Sequence, residues 1–100
     1  MAEDIQLARA AAKAALATEG IYSMGAGRFA EVATYKGSEK VSGVAVRPDE
    51  IEVHVVARFP LPKPIPQIAD DLRRRVRLET GGRKTSIIFT DLEVAQDENL

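Results

Sequence analysis

Apolar residues in this chain recur at two periods, and the changes of period mark the elements. From Glu3 to Thr18 there is no Gly or Pro and Ala dominates, a helix-forming composition that Gly20 stops. At about 100° per residue, Gln6, Arg9 and Lys13 fall in one narrow polar strip. Ile5, Ala8, Ala12, Ala15 and Leu16 form a central apolar arc, and Leu7, Ala10, Ala11, Ala14 and Ala17 extend it most of the way round. Packing on one sheet face does not need that width. Either the alanines reflect helix propensity alone, or Ala10, Ala14 and Ala17 offer a second contact surface that another chain can approach closely.

The period then shortens to two. Phe29 to Tyr35 is rich in β-formers and reads as a short strand, "KGSEK" at 36–40 as a turn, and Val41 to Val46 as a strand. "RPDE" at 47–50 fits a type I turn with Pro48 at its second position. Ile51 to Phe59 alternates most clearly. Ile51, Val53, Val55, Ala57 and Phe59 face one side; Glu52, His54, Val56 and Arg58 face the other. Ahead of these strands, "GIYSMGAG" at 20–27 reads as a connection whose glycines serve positive φ. It is not a phosphate loop, because no Gly-Lys-Ser/Thr follows.

The helical period returns at Pro66, with Ile65, Ile68, Ala69, Leu72 and Val76 on one face and "TGG" as the stop. Lys84 to Val94 is the last strand, and residues 95–100 are a polar tail. The expectation is a single domain over 1–94 in the order α-(β)-β-β-α-β. It is an α+β two-layer sandwich, with a mixed three- to four-stranded sheet and both helices on one face. The connection through the second helix to the last strand is long enough for a right-handed parallel crossover.

Between Phe59 and that helix, proline occupies every second position: Pro60, Pro62, Pro64 and Pro66. A polyproline II ligand repeats every third residue, so these prolines do not share one face of such a helix. They read instead as a rigid spacer, each removing a backbone donor and holding the chain extended.

Composition narrows the function. With 45% apolar and 29% charged residues the chain can bury a core. It has no cysteine, which excludes disulfides, thiolate metal sites and cysteine nucleophiles, and one histidine. No apolar run is long enough for a bilayer, and the acidic start is unlike a secretory signal, so a soluble cytoplasmic protein is expected.

Net charge is −1 but unevenly spread. Residues 58–84 carry eight positive and three negative groups, while 85–100 carry four negative and none positive. The centre of the basic segment is "RRRVR", Arg73 to Arg77. Arg73, Arg74 and Arg77 point away from the apolar face. Asp70 and Asp71 precede Arg74 and Arg75 by four, the favourable order for exposed ion pairs. Those pairs would mute part of the patch and leave Arg73, Arg77, Arg58, Lys63, Arg83 and Lys84. Such a face is either plainly solvated or a contact for a protein or an anionic surface. No aromatic platform or glycine clamp accompanies it, so a small nucleic-acid-binding domain is the lesser alternative. His54 is expected as an exposed sheet histidine. No acid, base or nucleophile set converges, and no catalytic, metal-binding or cofactor-binding residue is assigned.

In order along the chain, "ATEGIYSM", "GRFAEVATY", "VSGVAV", "IEVHVVARF", "PIPQIADDLRRRV" with its Gly-Gly ending, and "SIIFTDLEV" resemble the alkaline shock protein family of bacterial cell-envelope stress proteins, particularly its actinobacterial branch. The resemblance covers about residues 4–94. Where this chain has "PLPKPIP", family members often have a shorter step. The resemblance implies a non-enzymatic cytoplasmic protein of the envelope stress response that self-associates and docks to a small membrane-anchored partner. It brings no catalytic or cofactor residues.

Overall fold

The computed structural model describes residues 3–25 and 31–94. Its elements are α1 (Asp4–Leu16), β1 (Ile21–Met24), β2 (Ala33–Lys36), β3 (Glu39–Ser42), β4 (Val44–Val46), β5 (Glu50–Phe59), α2 (Ile65–Glu79) and β6 (Lys84–Val94).

β5 is the spine of the sheet. One of its edges carries β6 in parallel, with Ile51 beside Thr85 and Val55 beside Phe89. Its other edge is divided between two antiparallel strands. β4 pairs with the first half, Val44 beside Val53, and β1 with the second, Ile21 beside Ala57. β2 and β3 form a separate antiparallel hairpin. The hairpin is held to α1 by ion pairs from Lys36 to Glu3 and from Arg9 to Glu39. It is held to β4 by the Thr34 hydroxyl, which donates to the Val44 carbonyl at 2.7 Å.

The α+β sandwich, the mixed sheet and the helices on one face are as the pattern predicts. Ile51, Val53 and Val55 have no exposed surface, nor do Ile68, Leu72 and Val76 of α2 or Ala8, Ala11 and Ala15 of α1. Alanine on the sheet-facing side lets α1 lie close to the strands. α1 also packs against α2. That second packing accounts for the breadth of its apolar arc, since both sheet and helix must be covered.

The two helices end by similar means. The Thr18 hydroxyl donates to the Ala14 carbonyl at 2.9 Å, and the Thr80 hydroxyl to the Val76 carbonyl at 2.7 Å. Each takes up a carbonyl that the last turn leaves without a helical donor. α2 starts one residue earlier than the Pro66 boundary suggests. The Pro64 carbonyl accepts from Gln67 N–H and Ile68 N–H, and Pro66 sits in the first turn, where its missing N–H costs nothing.

Five expectations are corrected. "IYSM" is strand β1 within what reads as a glycine-rich connection. Val41 to Val46 is two strands, because Gly43 has φ +81 and turns the chain between β3 and β4. The strand expected at Phe29 to Tyr35 is β2 at Ala33–Lys36, while its Phe29 and Ala30 lie outside the described residues, as does the 95–100 tail. Leu16, placed in the central arc of α1, is 53% exposed, and Phe59, placed on the core side of β5, is 49% exposed. Each stands at the end of its element, past the cover of the other layer.

Candidate functional site

The outward face of α2 follows from its inward one. Ile68, Leu72 and Val76 at spacings of four turn Arg73, Arg74 and Arg77 away from the core. These three side chains line a shallow depression with Asp70, Leu78, Gly81 and Gly82.

The ion pairs differ from the expected spacing. Arg73 Nη1 lies 2.9 Å from Asp70 Oδ1, and Arg74 Nη2 lies 3.0 Å from Asp71 Oδ1, both at a separation of three. Asp71 has a second partner, Lys63, whose Nζ reaches its Oδ2 at 2.7 Å from the proline-rich joint. Lys63, with Arg74 behind it, holds the Asp71 carboxyl below the usual carboxylate range. The expectation that Arg73 and Lys63 stay unpaired is thus corrected. Among the described residues, Arg75 and Arg77 are the cations of this run with no ion pair.

A second depression lies along the seam of the two helices. Its lining includes Ala10, Lys13, Ala14 and Ala17 from α1, and Arg75, Leu78 and Glu79 from α2. Ala14 is nearly buried at 8%, Ala10 is half-buried and Ala17 is exposed. Much of the surface that one of the two readings offered to another chain is therefore used by α2 of the same chain, and what remains is the groove above it.

Leu78 lines both depressions and is 78% exposed, more than any other large apolar side chain among the described residues. It forms a ridge between an arginine-lined hollow and an alanine-floored groove. Sequence reasoning passed it over. The available signal was a leucine on the arginine side of α2, outside the spacing of Ile68, Leu72 and Val76.

Arg58 does not join this site. It lies on the sheet face opposite the helices, with its guanidinium 5.6 Å from the centre of the Tyr22 ring, within cation–π range. His54 shares that face and is not exposed as expected. Its side chain is 12% exposed, and its backbone is flanked by Ile88 of β6 on one side and by Gly25 and Gly43 on the other. Nε2 is 3.4 Å from Glu52 Oε2, and that carboxylate is engaged at 3.0 Å by Arg47.

Among the described residues no helix is long and apolar enough to cross a membrane. Compared with family models, with curated proteins and with solved structures, the chain gives no match.

Proposed function

We propose that this is a non-enzymatic interaction protein of the envelope stress response, as the alkaline shock resemblance implies. It works by self-association and by docking to a membrane-anchored partner at the cytoplasmic face of the membrane. The observation that supports the docking surface is Leu78, a large apolar side chain held out of the fold between Arg77 and the groove floored by Ala10, Ala14 and Ala17. Burying it would gain about 1.5–3 kcal/mol in a complex and gains nothing in the isolated chain. The flanking Arg75 and Arg77 favour an acidic rim on the partner, and the Asp70 and Asp71 ion pairs leave fewer cations free for a polyanion such as nucleic acid.

The test is photo-cross-linking in cells, with the reactive group at Ala17 on the rim of the groove. Capture of a membrane protein that disappears on Leu78→Glu is the expected result. Capture unchanged by Leu78→Glu, or no membrane protein at all, overturns the reading.

A further inference from the structure

β6 has one unpaired edge. Its ladder to β5 runs from Lys84 to Val94, and among the described residues no strand pairs with its other side. The opposite edge of the sheet is treated differently. There the β2–β3 hairpin flanks β4, with Gly43 N–H donating to the Val32 carbonyl at 2.7 Å and Thr34 bonding the Val44 carbonyl.

A bare edge offers a row of N–H and C=O groups to any extended chain, and proteins blunt such edges with charge, proline or a bulge. β6 has a bulge at Thr90, where the register to β5 shifts between Phe89 and Asp91. Ahead of it nothing is blunted. Thr85-Ser86-Ile87-Ile88-Phe89-Thr90 holds no charge, no proline and no glycine, the composition of a segment that pairs readily with its own kind. Thr85 to Phe89 runs in unbroken register with Ile51 to Val55, so its free side is straight and regular.

The charges around the segment give it a direction. Arg83 and Lys84 precede it; Asp91 and Glu93 follow it. A parallel copy would set like charges side by side. An antiparallel copy sets the basic end of each strand against the acidic end of the other.

We propose that the Thr85–Phe89 edge of β6 pairs antiparallel with the same edge of a second copy, so that two sheets become one. This rests on the self-association in the reading above and supplies its surface. The pairing is isologous, with a symmetry axis normal to the sheet, so the helices of both copies stay on one face.

Ile88 gives the test. It is 37% exposed on the face opposite the helices, and in the antiparallel pair it lies close to its own counterpart. Sedimentation equilibrium is run on the full chain, on Ile88→Lys, on Ile88→Glu and on their equimolar mixture. Circular dichroism confirms that each variant is folded. The wild type should dimerise. Each variant alone should dimerise about tenfold more weakly, because like charges meet beside the axis. The mixture should recover wild-type association. Isotope-filtered NMR on a mixed-label wild-type sample should place inter-chain contacts within Thr85–Phe89, whether or not the variants fold. A dimer that both variants retain in full, or inter-chain contacts on α1 and α2 with none on β6, overturns the edge and leaves self-association standing. A monomer up to about 1 mM overturns both, while the docking reading keeps its own test in the Leu78 cross-link.

Discussion

Gly25, just past β1, and Gly43, just before β4, clasp the backbone of His54 between them. Gly25 N–H donates to the His54 carbonyl and His54 N–H donates to the Gly43 carbonyl, each at 2.7 Å. This is where β1 ends and β4 begins along one edge of β5. A Cβ on Gly43 would lie 2.7 Å from the Gly25 carbonyl oxygen and 3.0 Å from that of His54, and its φ of +81 is a conformation that L side chains resist. Gly43→Ala should therefore destabilise by about 2–4 kcal/mol, strain and clash together. Gly37→Ala meets nothing within 4 Å and carries only the strain of its φ of +59, so it should cost about 1–2 kcal/mol. Urea denaturation of both variants checks the ranking, and equal losses would refute the tight junction.

The same junction shows where the sequence was legible and where it was not. β5 could be read because its alternation runs long, and the proline joint and α2 that follow it are long enough for a parallel return to β6. β1 could not, because "IYSM" is too short to show a period and its strand identity comes from pairing with Val55, Val56 and Ala57. The break at Gly43 was equally hidden, since "VSGVAV" alternates as well with a turn as without one. At the site, the outward Arg73, Arg74 and Arg77 followed from helical spacing alone. Their partners did not, because helical spacing allows pairs at three as well as at four, and Lys63 arrives at Asp71 from another segment.

That convergence on Asp71 has a pH signature. Lys63 and Arg74 lower its carboxyl pKa in the folded chain, so the pairing stabilises at pH above the ordinary carboxylate range. The contribution is lost as pH falls through the lowered folded value. Asp71→Asn should have a slightly lower melting temperature than wild type at neutral pH, and the gap should close below the ordinary carboxylate range. A gap that persists unchanged at strongly acid pH would show that Asp71 acts by shape rather than charge.

The joint itself is packed as well as stiff. A Cβ on Gly20 would come 2.8 Å from Ile68 Cδ1 and 3.3 Å from the Pro62 ring, and Arg58 N–H donates to the Gly20 carbonyl at 2.9 Å. Pro62 therefore sits in the corner between the end of α1 and the start of α2. Pro62→Ala with Pro64→Ala should lower stability by about 1–2 kcal/mol, mostly by freeing the unfolded chain. Partner capture should survive at a temperature where the variant remains folded. Capture lost from a folded double variant would mean that the prolines are themselves recognised.

Leu72 and Leu78 lie on the same helix and should fail in opposite ways. Leu72 is fully buried, so Leu72→Ala leaves a cavity against the sheet and should cost about 2–5 kcal/mol. Leu78 is held away from the core, and Leu78→Ala should change stability by less than about 0.5 kcal/mol. In the cell the order reverses for function. Leu78→Ala should reduce capture of the membrane-anchored partner proposed above in a chain of normal abundance. Leu72→Ala should reduce capture only in proportion to the folded protein that remains. Thermal melts, abundance measurements and the cross-linking yield per folded molecule separate the two. If the yield per folded molecule falls for Leu72→Ala and not for Leu78→Ala, the ridge on α2 is not the docking surface.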